Sequence, residues 1–284
     1  MIAGFAELRS YLKKTAGIVL DEDKHYFAES RLMPLARRIG ENNVEGLLRR
    51  FGANADAEIG QSIIEAMTTH ETLFFRDRQP FELFSQVVLP QLMQARAAQR
   101  TIRIWCAGCA TGQEPYSLAM LLDEQARSLA GWRIEILATD ISRAALSVAR
   151  AASYNQFEVQ RGLPVSMLLR YFNREADRWR LVEHLRARVD FREVNLVTDF
   201  SSLGPFDVVF CRNVLIYFDA ETRNDVLSRI AGVCRPDASL ILGAAESIGE
   251  LGNFWQVQKA HAGLITRQPA ASTRFPKPRL VSNT

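Results

Sequence analysis

Gly108, Ala110 and Gly112 stand between an apolar run, TIRIWCAG from residue 101, and the pair Glu114-Pro115. A turn of such small residues lets backbone N–H groups approach a nucleotide moiety at a helix N-terminus, because at most a methyl group is in the way. A second apolar run, IEILATD, ends in Asp140, whose carboxylate can accept both hydroxyls of a ribose. Strand, small-residue turn, helix, strand and acid in this order read as a nucleotide-binding half-site. Two details argue against NAD. Asp140 lies 28 residues beyond Gly112, slightly longer than the dinucleotide spacing, and Glu114 places negative charge where a pyrophosphate would sit. A ligand with a ribose, a cationic centre and no phosphate fits better, and S-adenosylmethionine is a common metabolite of that description.

The 284 residues can bury a large core and suggest one large plus one small domain. A formal net charge of +3 is too mild for wholesale nucleic-acid binding. The N-terminus lacks a signal-peptide pattern and no charge-free apolar run approaches eighteen residues, so a cytoplasmic protein without direct membrane insertion is expected. Cys106, Cys109, Cys211 and Cys234 include one CxxC, but no second close pair completes a zinc site; they read as small apolar residues at buried strand ends, and no metal is expected.

Residues 1–75 read as all-helical. Ala28, Leu32, Leu35 and Ile39 share one stripe, with Lys24, Arg31 and Arg38 spaced seven apart along its edge, and Pro34 should kink or divide this helix. The Lys24 to Gly40 stretch carries a net charge of +3, which is either a solvated flank or a docking face for an acidic partner. A second amphipathic helix spans 57–67, and a connecting helix occupies the 76–98 segment. From 99 to 268 the pattern is an α/β series: a helix over 141–152, a third strand over 189–196, a fourth apolar strand in 206–218 that runs into a polar loop, a helix over 221–233, the strand ASLILGAAES and a terminal hairpin at the sheet edge. An insertion of about 163–190 interrupts the alternation as a helix and a short excursion of two or three strands. Residues 269–284 read as a flexible tail.

TTHETLFFRD, IRIWCAGCATGQEPYSLAM, LATDIS, VNL and PFDVVFCRNVLIYF, in this order and spacing, closely resemble the CheR family of protein-glutamate O-methyltransferases, over roughly residues 5–268. The resemblance implies a Rossmann-like S-adenosylmethionine-dependent methyltransferase domain with a small β-subdomain insertion, preceded by an all-α N-terminal domain for receptor recognition. It further implies S-adenosylmethionine as donor, S-adenosylhomocysteine as product, and glutamates on the cytoplasmic helical region of chemotaxis receptors as acceptors. By the same resemblance the cofactor contacts fall on His70, Thr72, Arg76, Glu114, Asp140, Asn195, Leu196, Arg212 and Asn213, while Arg76 and Tyr217 face the substrate glutamate. His70 stands where the family usually has asparagine; its ring can donate or accept like an amide but can also become charged. Acidic receptor helices would give Lys24, Arg31 and Arg38 a target. Family members tethered by a receptor C-terminal pentapeptide carry a glycine-containing loop in the β-subdomain, whereas NREADRWRL occupies that region here and speaks against such tethering. The IYF ending, in place of the NPPY-type motif of base-amino methylation, likewise points away from nucleic acid.

Overall fold

The computed structural model describes residues 2–54, 56–248, 254–259, 261 and 263–267. Helices α1 (Phe5–Ala16), α2 (His25–Arg38), α3 (Val44–Asn54) and α4 (Ala57–Met67) form the N-terminal domain. Their stripes, among them Leu8 and Leu12, Ala28, Leu32 and Leu35, and Ile59 and Ile63, close on one another as a separate core. Burying each such leucine or isoleucine contributes about 1.5–3 kcal/mol. Several together outweigh the roughly 3 kcal/mol that a proline costs inside a helix, so α2 runs through Pro34 as one helix and does not divide there. The start of α4 is set by Asp56, whose side chain accepts from the N–H groups of Glu58 and Ile59.

The connector comprises α5 (Gln79–Leu83), one π turn (Phe84–Val88) and α6 (Leu89–Ala95). The π turn falls just before Pro90, where the helix ladder lacks a donor. Phe81, Phe84 and Leu92 sink from the connector into the core of the larger domain.

That domain runs β1 (Thr101–Ala107), α7 (Gln113–Glu124), β2 (Arg133–Asp140) and α8 (Arg143–Ala151), then a subdomain of β3 (Ser153–Asn155), α9 (Gln156–Gln160), α10 (Val165–Tyr171), β4 (Phe172–Glu175), β5 (Arg178–Leu181) and α11 (Glu183–Arg186). The chain re-enters the large sheet with β6 (Val189–Glu193) and β7 (Phe206–Cys211), continues through a 3-10 turn (Leu215–Tyr217) and α12 (Ala220–Gly232), and finishes with β8 (Cys234–Leu242), β9 (Trp255–Val257) and β10 (Leu264–Arg267). The seven-stranded sheet has the order β6-β2-β1-β7-β8-β10-β9. Its first five strands are parallel, while β10 and β9 form the expected antiparallel hairpin at the edge. Every residue of β7 is buried, as parallel strands covered on both faces require. The order reverses between β1 and β7, so the carboxyl ends of β1, β2 and β7 converge on a switch-point crevice. The architecture is a Rossmann-like α/β fold behind an all-α domain.

Several boundaries differ from the sequence reading, among them those of the strand read as ASLILGAAES, which the structure forms over Cys234–Leu242. The apolar run over 206–218 ends as a strand at Cys211, and the run over 189–196 ends at Glu193; the residues beyond each turn into the crevice. The subdomain sheet has the order β3-β5-β4 and takes its first strand from Ser153–Asn155, ahead of residue 163. The tail expected over 269–284 lies outside the described residues. No helix among the described residues is long and apolar enough to cross a membrane.

Candidate active site

At the end of β1 the backbone N–H groups of Gly108 and Cys109 donate to the Thr139 carbonyl of β2, at 2.8 and 2.9 Å, which folds the small-residue turn back over the sheet. Gly108 has φ +80, and a Cβ there would collide with the Val214 side chain. Asp140 is almost fully buried; its Oδ2 accepts from the Ala110 N–H at 2.8 Å and its Oδ1 from the Ser142 N–H at 2.9 Å. A carboxylate offers about four lone-pair sites, and those left by these two bonds are available at the crevice.

Arg212 follows β7 and its side chain is 1% exposed. It donates to Glu114 Oε2 at 3.1 Å, to Asp77 Oδ2 at 2.7 Å and to the Arg76 carbonyl at 2.8 Å, and its guanidinium lies 5.5 Å from the Phe81 ring centroid. Burial pushes the Glu114 carboxyl above its ordinary value, and Arg212 opposes that rise. All four cysteines are buried, and burial pushes the thiols of Cys106, Cys109 and Cys211 well up, which leaves them unreactive.

The N-terminal domain supplies the other wall. Ala16, the last residue of α1, Ile18 just beyond it, and the segment from Met67 at the end of α4 to Thr72 line the same cavity as the strand ends. Asn195 donates to the Thr15 carbonyl at 2.6 Å and accepts from Val197, so its side chain ties the two domains, and the residue lines the cavity. Val19 donates to the Tyr217 carbonyl at 3.0 Å, and Lys13 pairs with Asp219 at 2.7 Å. On the other side Glu65 accepts from the first N–H groups of α8, those of Arg143 and Ala144.

The cavity is an open crevice, with about 960 Å³ of space not filled by atoms when the solvent at its mouth is included. The structure brings His70, Thr72, Arg76, Glu114, Asp140, Asn195, Leu196, Arg212, Asn213 and Tyr217 together around it. His70 Nε2 lies 3.8 Å from Asp140 Oδ1, too far for a hydrogen bond. Three buried polar atoms on the lining residues His70, Arg212 and Asn213 have no protein partner: Nε2, Nε and Oδ1 respectively. Lys24, Arg31 and Arg38 are absent from the lining. Lys24 pairs loosely with Asp23, Arg38 donates to Ser62, and Arg31 donates to Thr69 at 3.2 Å on the segment that walls the cavity.

Glu246 escaped sequence reading. Its carboxylate accepts from the N–H groups of Asn213, Val214, Leu215 and Gly243 at 2.7–2.8 Å. The only trace in the sequence is one acid after the apolar strand ASLILGAA, which any solvated loop could show.

Residues 70–263 match the family described as "CheR methyltransferase, SAM binding domain". The chain is 42% identical over 269 residues to "Chemotaxis protein methyltransferase 1" of Pseudomonas aeruginosa, covering 93% of this chain and 97% of that one. It is 39% identical over 265 residues to "Chemotaxis protein methyltransferase Cher2" of Pseudomonas putida, covering 92% and 96%. "Chemotaxis protein methyltransferase" of Vibrio parahaemolyticus is 36% identical over 264 residues, covering 92% and 95%.

Proposed function

The chain belongs to the CheR methyltransferase family, and from that premise we propose that it forms methyl esters on glutamate side chains in the cytoplasmic helical region of chemotaxis receptors. The observation that carries this reading is the cavity at the switch point, where a buried carboxylate pair, Asp140 and Glu114, faces three orphaned polar atoms. Such a set of polar groups suits S-adenosylmethionine: Asp140 to accept from the ribose hydroxyls, Glu114 beside the cationic end, and the apolar Ile18, Met67, Ile141 and Leu196 for a flat base. Asn213, His70 and the Asn195-Leu196 backbone supply polar contacts, with Thr72 and Arg76 completing the polar part of the lining.

Bound there, S-adenosylmethionine supplies an electrophilic methyl group on a sulfonium. An acceptor carboxylate, with a reference pKa of about 4.3, is already ionised at neutral pH and needs no general base. One carboxylate oxygen forms the bond to the methyl carbon, and the electron pair of the broken carbon–sulfur bond stays on sulfur. The work left for the protein is alignment and exclusion of water. Arg76 spends one N–H on the Glu71 carbonyl and keeps others for a carboxylate. Tyr217 lines the cavity from the 3-10 turn and can donate its hydroxyl. Both are positioning groups. A tight ion pair would stabilise the charged reactant over the neutralising transition state and slow the reaction.

Each ester removes one negative charge from a receptor helix, which weakens repulsion between packed helices and shifts a signalling equilibrium. The test is transfer of a labelled methyl group into receptor cytoplasmic fragments. Label released by mild base supports a glutamate ester; base-stable label, or label entering only small molecules, refutes it.

A further inference from the structure

β7 ends at Cys211, yet the six residues after its end carry much of the site: Arg212, Asn213 and, at the close of the 3-10 turn, Tyr217. This segment is conformationally demanding. Asn213 sits at φ 59, in the left-handed region, and the N–H groups of Asn213, Val214 and Leu215 all point to one side. Three successive N–H groups after a left-handed residue form a nest with a partial positive charge. Backbone donors left without partners there would destabilise the turn.

Glu246 fills that nest. Its Oε2 accepts from Asn213 and Gly243, and its Oε1 from Val214 and Leu215. A carboxylate in four charge-assisted bonds is held far more rigidly than a neutral acceptor would be. Gly243 is what permits the approach: a Cβ there would lie 2.8 Å from Glu246 Oε2 and 2.9 Å from the Asn213 nitrogen. Glu246 itself is absent from the cavity lining, whereas Asn213 and Val214, which donate to it, are part of that lining.

We infer that Glu246 is a positioning residue for methyl transfer, a clasp from the end of β8 that sets Arg212 and Asn213 against the cofactor and Tyr217 against the acceptor. This rests on the reading of Asn213 as a cofactor contact. Asn213 Oδ1, buried and unpartnered, can meet a ligand only if the left-handed turn is kept. Glu246→Gln keeps the size but puts an NH2 group against two backbone donors, opening half of the clasp.

The experiment is a double-mutant cycle of Glu246→Gln and Asn213→Ala, reading S-adenosylhomocysteine affinity by calorimetry, receptor methylation kinetics and the melting temperature. In the wild-type background Glu246→Gln should lower cofactor affinity and kcat each by about tenfold and leave the receptor KM unchanged. In the Asn213→Ala background it should lower affinity by less than about threefold, since a shared element gives non-additive losses. Glu246→Asp, which keeps the charge, should recover part of the loss. Should Glu246→Gln not fold, Gly243→Ala, which presses on the clasp while retaining the carboxylate, takes its place in the same cycle. Equal losses in both backgrounds would make Glu246 a general stabiliser and overturn the inference. Wild-type affinity and turnover in Glu246→Gln, with Asn213→Ala still impaired, would overturn it and leave the site reading standing. Unchanged affinity in Asn213→Ala would remove the site reading and the inference together.

Discussion

Asp140 does two jobs with one carboxylate, holding the turn through Ala110 and Ser142 and facing the cavity with its remaining lone pairs. Asp140→Ala should therefore weaken S-adenosylmethionine binding by about 1–3 kcal/mol, the cost of polar partners left unsatisfied; calorimetry on the folded variant checks this. Glu114 gives a pH signature. Its folded pKa is raised by burial, so it retains its proton to higher pH than in the unfolded chain, and the stability linked to that proton is present in acid and lost as pH rises through the folded value. A cation beside it favours the carboxylate. Cofactor affinity should then fall as pH drops through the raised value, with proton release on binding, and Glu114→Gln should abolish both. Calorimetry in two buffers of different ionisation enthalpy reads the proton directly. For Tyr217→Phe, kcat should drop by about tenfold with cofactor affinity kept, because only a hydrogen bond to the acceptor is removed; unchanged single-turnover rates would dismiss the hydroxyl.

Local elements with local causes were readable in the sequence: α4 from its amphipathic stripe, β1 and β2 from apolar runs bounded by the glycine turn and Asp140. Elements whose ends are decided far away were not. The end of β7 depends on Glu246, more than thirty residues on, and β3, only three residues long, exists because Tyr154 pairs with Trp179 across the subdomain. The residues that line the cavity were legible through motif resemblance, but the seam that brings them together was hidden. At that seam Glu65 of α4 caps α8, and Lys13 of α1 meets Asp219, the cap of α12. Glu65→Ala should lower stability by about 1 kcal/mol, the usual worth of a cap, and should weaken cofactor binding as well because Ile141, just before α8, lines the cavity. A thermal melt and a binding titration separate the two effects. Lys13 and the Thr222 contacts hold Asp219 well below the ordinary aspartate range, so this tie is intact at neutral pH and is lost only as pH falls below about 4 toward the depressed folded value.

At the scale of the whole molecule, the cavity lies between two domains, so the helices that would meet a receptor also wall the cavity. Lys24, Arg31 and Arg38 lie along one edge of α2 and its cap, but their side chains are engaged differently. Lys24 and Arg38 are exposed, with a loose pairing to Asp23 and a hydrogen bond to Ser62, whereas Arg31 braces Thr69 and stacks over Phe27. A docking face for acidic helices therefore predicts a split. Reversing Lys24 and Arg38 to glutamate should raise the receptor KM by about 3- to 10-fold, each exposed charge being worth up to roughly 1 kcal/mol, with cofactor affinity intact. Arg31→Glu should disturb both, because it also loosens the Thr68–Thr72 wall. Added salt should weaken receptor binding by the wild type more than by the Lys24/Arg38 double reversal, since exposed charges are screened within about 8 Å at physiological ionic strength. Michaelis constants indifferent to both reversal and salt would make this edge a solvated flank and direct the search for the receptor contact to the β3-β5-β4 subdomain.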